Sequence, residues 1–431
     1  SSTTGGSNTA VGRDALRSNT ASYNTAVGSE ALKSNTTGAI NDAFGYNALG
    51  ANTTGNHNTA IGAGSLDTNT TGSYNVAVGR LALTANTTAD KNTAVGYNAL
   101  ASNTTGQWNT AVGAYALDAN TDGQTNSALG YGALGANTGG DDNVAVGHEA
   151  MQSNTTGNKN IAIGRDALTA NTTADGCVAV GYLALQSNTT ADFNTAVGYW
   201  ALQATTTGTN NVAVGNNALY AHTTGYENTA IGARAGDQVT TGFRNCFMGE
   251  DAGDDVETGS NNVIIGRQTD AGSSSASSVV VVGASLTGKG DATGFFGGSS
   301  GVYNADNTSA WQTTSDRRIK KNIVDNNIGL DKINQIRVRN FEYRTPEEVD
   351  PALPSHSAID KQGTQVGVIA QEIQDILPDI VRVTSYGCYS VNSDNLTWYL
   401  VNAVKELSAE NTALKNLIKN SSSFAALKSS L

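Results

Sequence analysis

A seventeen-residue repeat dominates the chain. The unit N-T-A-V-G-x-x-A-L-x-x-N-T-T-G begins at Asn24, and its leading asparagine recurs at constant spacing as Asn41, Asn58, Asn75, Asn92, Asn109, Asn126, Asn143, Asn160, Asn194, Asn211, Asn228, Asn245 and Asn262. Cys177 takes this position once. A fixed short period is typical of a solenoid, in which each coil buries its apolar side only against the next coil. We number the repeat positions as slots 1 to 17, with Asn24 in slot 1.

The apolar slots predict the core. Slot 4 is apolar in coil after coil, as at Val27 and Phe44, and slot 9 is usually leucine, as at Leu32. We therefore expect two apolar columns, slots 4 and 9, to form the interior. Slot 3 is alanine from Ala26 through Ala230, and its small side chain suggests close approach by a neighbouring surface.

The remaining slots predict two corners. Slot 5 is glycine, as at Gly28, as expected where the chain turns with a positive φ. Slots 12 to 15 read N-T-T-G, and their Asn and Thr side chains can bond to their own turn backbone. Seventeen residues accommodate two short strands per coil, with the asparagines stacked as ladders.

We therefore predict a mainly β fold. A parallel β-solenoid or β-roll shaft spans residues 1–270, a glycine- and serine-rich β linking region spans 271–314, and a small α+β domain spans 315–431 and ends in a coiled-coil helix. All four prolines lie outside the repeats, which agrees with this assignment because proline removes a ladder donor.

Charge and composition narrow the function. Lys and Arg balance Asp and Glu from Ser315 onward, so the whole net charge of −12 lies upstream of it, and we expect no nucleic-acid partner. Three cysteines are too few for a disulfide framework. We expect no membrane insertion, because no apolar run reaches spanning length. We assign no cofactor and no metal site.

The C-terminal part carries the strongest motif. T-T-S-D-R-R-I-K-K-N-I spans 313–323, Q-V-G-V-I-A-Q-E-I-Q-D-I-L-P-D-I-V spans 365–381, and a terminal helix follows. Together these blocks resemble the chaperone-of-endosialidase family. The resemblance implies a domain at the end of phage tail spikes and fibres that assembles the trimer and then cuts itself off, using a serine and a lysine five residues later. Here those residues are Ser315 and Lys320.

The chemistry of this pair is reasonable in its own right. A serine hydroxyl needs a base, and a lysine that is desolvated, or crowded by cations such as Arg317 and Lys321, can be neutral enough to serve. His356 lies in the loop P-A-L-P-S-H-S without a motif around it. The alternative is a capped turn with solvated charges. At most we expect a single-turnover self-cleaving peptidase, without substrate turnover.

The final helix predicts an oligomer. Leu400, Leu407 and Leu414 repeat every seven residues, and Val404, Asn411 and Ile418 follow each by four. These are the d and a positions of a coiled coil, with Asn411 as a polar residue that sets the register. With the family resemblance, this pattern predicts a homotrimer.

Two features of the shaft suggest binding. Aromatic residues occur in or beside slots 6 and 17, at Tyr46, Tyr97, Trp108, Tyr131, Tyr182, Phe193, Tyr199 and Trp200. They either stack on sugar rings or pack against a neighbouring coil or protomer. An acidic cluster comprises Glu250, Asp251, Asp254, Asp255 and Glu257, and it is either a cation or glycan site or, as we favour, a solvated turn.

The favoured function is a bacteriophage tail-fibre shaft and adhesin. It would be made in the host cytoplasm, be located in the virion, contact other tail proteins, and attach to a host cell-surface receptor, for which a glycan is a candidate. The repeat also resembles the head repeats of bacterial trimeric autotransporter adhesins, which makes a bacterial surface adhesin the alternative. A glycan-degrading tailspike is a third class, which we disfavour because the repeats run without large insertions.

Overall fold

The computed structural model describes residues 5–297, 302–304, 317, 320–345, 347–351, 353, 362–383, 388–421, 423, 425 and 428. The chain divides into two compact units, Ser1–Thr314 and Ser315–Leu431. The first unit is built from strands and turns, and the second contains the three α-helices described below.

The first unit is a parallel β-solenoid, as the repeat predicts. Except at the last strand, each strand pairs in parallel with the strand of the next coil, and equivalent slots face one another, as Ala26 faces Ala43. The strands are β1 Thr9–Val11, β2 Thr25–Val27, β3 Asp42–Phe44, β4 Thr59–Ile61, β5 Val76–Val78, β6 Thr93–Val95, β7 Thr110–Val112, β8 Ser127–Leu129, β9 Val144–Val146, β10 Ile161–Ile163, β11 Val178–Val180, β12 Thr195–Val197, β13 Val212–Val214, β14 Thr229–Ile231, β15 Cys246–Met248, β16 Val263–Ile265, β17 Val280–Gly283, β18 Gly294–Gly297 and β19 Val302–Asn304.

The parallel stack continues into residues that we assigned to the linking region. Strand β17 pairs in parallel with β16, and β18 pairs in parallel with β17. Strand β19 then runs antiparallel to β18. The last two parallel strands are four residues long, one longer than the strands before them.

The prediction that slot 4 lines the interior is wrong. Alanine in slot 3 is fully buried, as at Ala43, whereas Phe44 and Ile61 in slot 4 are 39% and 43% exposed. Successive residues of a strand point to opposite faces, so only one of the two neighbouring slots can face inward. The interior is filled by the alanines of slots 3 and 8 together with the leucines of slot 9, as at Leu49.

The second predicted strand is absent from the described coils. Residues in slots 7, 9 and 17 have left-handed backbones instead, with φ of 57° at Asn47, 51° at Leu49 and 57° at His57. Such backbones cannot continue a strand. Neighbouring coils still bond there, because the amide of Leu49 donates to the carbonyl of Ser65 at 3.0 Å. The leucine side of each coil is therefore a stacked turn.

The glycine corner of slot 5 is confirmed. Gly45 has a φ of 137°, a conformation nearly restricted to glycine. A Cβ there would lie 2.6 Å from the carbonyl oxygen of Gly62 in the next coil. Glycine therefore allows both the turn and the close approach of successive coils.

The asparagine ladders are also confirmed. In slot 12 the Asn52 amide donates to Asn35 Oδ1 of the previous coil at 2.8 Å and to the Gly55 carbonyl of its own corner at 3.0 Å. In slot 1 the backbone amide of Asn41 donates to Asn24 Oδ1 at 3.0 Å. Both columns are buried. Asparagine fits because its side chain carries both a donor and an acceptor.

Several substitutions interrupt these ladders, among them Cys177 in slot 1 and His222 in slot 12. Cys177 keeps the slot 1 contact through its backbone amide, which donates to Asn160 Oδ1 at 2.8 Å, and burial raises the pKa of its thiol to about 11. His222 occupies slot 12, where its Nδ1 lies 3.0 Å from Thr205 Oγ1. Burial lowers the pKa of His222 to about 4, so the ring is neutral at physiological pH.

The second unit is a small α+β arrangement. Its helices are α1 Leu330–Gln335, α2 Ala370–Gln374 and α3 Ser393–Asn420, with a short 3₁₀ helix at Pro378–Ile380. Two antiparallel pairs join β20 Arg339–Phe341 to β21 Gln365–Gly367 and β22 Val381–Val383 to β23 Tyr389–Val391. Within the described part of the chain, helices of the length and apolarity needed to cross a membrane are not found.

Candidate functional site

The predicted catalytic pair lies at the start of the second unit. Ser315 falls outside the described residues, as does His356. Lys320 is exposed, and its backbone amide donates to the Arg317 carbonyl at 3.3 Å. The pairing of the Ser315 hydroxyl with the Lys320 amine therefore stays a prediction from the motif.

The segment that follows Lys320 is held by helix α3. The Asn402 side-chain amide donates to the Asn326 carbonyl at 2.8 Å and to the Ile328 carbonyl at 3.2 Å. One turn further, Glu406 Oε2 accepts the backbone amide of Leu330 at 2.7 Å, at the first residue of α1. These contacts fix the backbone that begins a few residues after Lys320 to the side of α3.

An open cleft of about 700 Å³ lies between the same segment and α3. Its polar lining includes Asp325, Asn395 and Lys405, and its aromatic lining includes Trp398, a residue that is 66% exposed. The cleft thus combines a large exposed aromatic ring with both signs of charge.

A small apolar cluster positions α3. Tyr399 of the helix is buried with Ile373, Leu377 and Ile380. Its hydroxyl donates to the Asp379 carboxylate, and this hydrogen bond, followed by burial, raises the pKa of Tyr399. The first third of α3 is therefore fixed to its own unit.

The rest of α3 is unburied along its length. From Val404 to Asn420 the helix is exposed. Its d and a positions include Leu407 at 53% exposure and Ile418 at 54%. The predicted helix is confirmed, and its apolar stripe is uncovered within this single chain.

Rings on the shaft stack along its axis. Tyr182 and Tyr199, one coil apart, have centroids 5.3 Å apart and planes inclined by 16°. Tyr226 and Phe243 are 4.8 Å apart and inclined by 6°. Packing against the neighbouring coil, one of the two interpretations of the aromatic residues, is thus observed for Tyr182 and Tyr199.

The acidic cluster is largely paired within the fold. Arg234 Nε donates to Asp251 at 2.6 Å, and Arg267 Nε donates to Glu250 at 3.0 Å. Asp255 accepts the backbone amide of Gly272 at 2.8 Å. These contacts agree with a structural role in the turns.

Sequence reasoning missed the contacts that hold the segment after Lys320. Tyr399, Asn402 and Glu406 are spaced by three and four residues, so they share a face of α3. This spacing is visible in the sequence, but the heptad of leucines on another face led us to assign the helix to oligomerisation alone.

One comparison bears on this unit. Residues 315–382 match the family model described as chaperone of endosialidase. The match starts at Ser315 and covers Lys320, α1, α2 and both strands of the β20–β21 pair.

Proposed function

We propose that this chain is a homotrimeric shaft protein of a bacteriophage tail fibre, and that its C-terminal unit assembles the trimer and then releases itself. The observation that carries the proposal is the chaperone-of-endosialidase match directly after a long solenoid. The seventeen-residue register runs from β2 to β17 without an insertion, which favours a shaft over a glycan-degrading tailspike.

The strand face of the shaft supports association of three chains. Slot 4 side chains form an apolar ribbon on the outside of the strands, and its members include Ile163 at 40% and Met248 at 43% exposure. Contiguous exposed apolar surface of this length marks an interaction site. Identical chains related by rotation would cover identical ribbons.

Helix α3 supports a register-setting role for the C-terminal unit. Identical coils offer many near-equivalent alignments between three shafts, each shifted by one coil. A coiled coil through Leu407 and Asn411 would select one alignment, because a buried polar a position tolerates few registers. The unit would thus act as an intramolecular chaperone.

The proposed cleavage follows from ordinary acyl-transfer chemistry. Lys320 Nζ takes the proton of the Ser315 hydroxyl, whose oxygen attacks the carbonyl carbon of Thr314. The Thr314–Ser315 amide bond breaks, the nitrogen takes the proton, and an ester links the two residues. Water then hydrolyses the ester and leaves a carboxylate on Thr314. Cleavage on the Asp316 side is the less favoured alternative.

Helix α3 provides a route from assembly to cleavage. Asn402 binds the segment just after Lys320, while the same helix carries the exposed heptad. Pairing of three helices would stiffen α3 and with it this segment. Cleavage would then report a completed trimer.

Mass spectrometry of the incubated full-length chain tests this proposal. The parent should split into a shaft and a piece beginning at Ser315, whereas Ser315→Ala and Lys320→Ala chains should stay whole. Lys332→Ala, a lysine of α1, is the matched control and should still split, and Asn402→Ala should split more slowly. A parent that stays whole as an assembled trimer would refute self-cleavage, and the C-terminal unit would then remain attached and hold the three chains together.

Attachment is tested separately. Antibodies against the shaft should label the tail fibres of intact particles in cryo-electron micrographs, and the isolated shaft should bind host cells and compete with infection. Labelling of a bacterial surface instead of a virion would favour the bacterial adhesin.

A further inference from the structure

A mixed cluster of side chains of metal-ligating types lies in the first unit and shares no residue with the proposed cleavage site. His148, Glu149 and Asp166 each present one ligand atom, and these atoms lie within 4.8 Å of one another. The His148 Nδ1 and a Glu149 carboxylate oxygen are 3.8 Å apart. The side chain of Asp166 is 15% exposed and that of Glu149 is 31% exposed.

The repeat preorganises the two carboxylates. Glu149 and Asp166 occupy slot 7 of neighbouring coils, and both have a left-handed backbone with a φ of 54°. The same backbone in the same slot directs both side chains the same way, one coil spacing of about 4.8 Å apart. The amide of Asp166 also donates to the His148 carbonyl at 3.0 Å. The three residues are thus tied together through the backbone.

The imidazole is held by a neighbouring ring. His148 stacks on Tyr131 of the previous coil, with centroids 5.2 Å apart and planes inclined by 20°. A ring oriented by stacking loses less freedom when it binds a metal, which lowers the cost of forming the site.

The charges of slot 7 residues in neighbouring coils differ between two places in the shaft. Further along the stack, Arg234 and Asp251 occupy slot 7 of neighbouring coils and close an ion pair at 2.6 Å. At Glu149 and Asp166 two carboxylates occupy the equivalent positions instead. Arg165 Nε donates to Asp166 Oδ2 at 3.1 Å but is 62% exposed. A divalent cation between the carboxylates would offset their mutual repulsion.

We propose that His148, Glu149 and Asp166 bind one divalent transition-metal ion of the zinc type. One imidazole nitrogen with two carboxylate oxygens suits zinc and its neighbours, whereas calcium and magnesium prefer oxygen ligands alone. Zinc ligands lie about 3.3 Å from one another in a tetrahedral site. Side-chain rotations would have to bring the three ligand atoms, now within 4.8 Å of one another, to that spacing. The ion would join two coils on their outer surface.

Cobalt(II), a coloured substitute for zinc, tests the site on the full-length chain. After chelation and dialysis, the parent should bind one Co²⁺ per chain, with a visible absorption band that Zn²⁺ displaces. His148→Ala and Asp166→Asn should each weaken binding by at least about tenfold. His57→Ala is the matched control, since His57 also stacks on a tyrosine, Tyr74, but belongs to no such cluster among the described residues.

The outcomes are distinguishable from those of the cleavage experiment, because metal binding is measured without cleavage. Equal binding by the parent and the His148→Ala chain overturns the site. Equal losses in the His57→Ala and His148→Ala chains also overturn it. Circular dichroism of each variant, expected to match the parent, separates loss of a ligand from loss of the fold.

Discussion

His222 makes the shaft acid-sensitive at one coil. Its folded pKa of about 4 lies below the unfolded value of 6.5, and burial is the main cause. Between these values the unfolded chain binds more protons than the folded one, so stability falls as the pH drops from about 6.5 to about 4 and levels off below that. Above about pH 7 nearly all of this stability is retained.

The magnitude follows from the two pKa values. Protonation of His222 in the unfolded chain lowers the free energy of unfolding by about 2.5 kcal/mol per chain at pH 4.5 and by about 0.2 kcal/mol at pH 7. Replacing His222 with asparagine removes the titrating group and restores the residue that other coils place in slot 12. The His222→Asn chain should therefore gain on the parent by about 2 kcal/mol when the pH is lowered from 7 to 4.5.

Chemical denaturation of both chains at the two pH values measures this difference. The parent and the His222→Asn chain contain the same carboxylates, so the effect of carboxylate titration on stability cancels in the difference between them. His57→Asn is the matched control, because it makes the same substitution at a histidine that is exposed. If the gain from His222→Asn is the same at pH 7 and pH 4.5, the linkage argument is refuted.

Three further substitutions test the asparagine ladder of slot 1, the glycine corner of slot 5 and the proposed coiled coil of α3. Cys177→Asn should raise the free energy of unfolding by about 1 kcal/mol by completing the slot 1 ladder, while Cys246→Asn in β15 should give no gain in the same denaturation assay. Gly45→Ala should lower that free energy by more than about 2 kcal/mol, because its Cβ would meet the Gly62 carbonyl, whereas Gly6→Ala meets no atom within 4 Å and should be tolerated. Leu407→Asp should convert the proposed trimer to monomers in sedimentation velocity, and Ala409→Asp, on the opposite side of the helix from the heptad, should not. A trimer that persists in the Leu407→Asp chain would exclude the proposed coiled coil.

The repeat allowed much of the shaft to be predicted, because a slot recurs in the same environment many times. Gly45 at a corner and Asn52 in a ladder follow from their residue types alone. Whether the slot 4 side chain faces the interior or the outside of the coil does not follow from its residue type. Phe44 is apolar whether it faces the interior or another chain, and its exposure shows that the apolar pattern alone does not define which side of a strand is buried within the coil.

The left-handed leucines escaped prediction for a different reason. Leu49 has a φ of 51°, which leucine rarely adopts, so propensity argued for a strand. Stacking of identical turns over many coils outweighs the local cost. At the other end of the chain, the motif pointed to Ser315 and Lys320, but motif spacing does not define the distance between their side chains.

The constant spacing of the ladders makes shaft length adjustable in whole coils. Removing residues 75–91 would put Asn92 directly after Tyr74, where Asn75 now stands, and each glycine, leucine and asparagine column would remain continuous. A deletion that is not a whole number of coils would move asparagine out of its column and place an unmatched residue in the interior. Recombination between repeats can therefore lengthen or shorten this protein by about 4.8 Å at a time, so its reach can evolve without redesign of its interior.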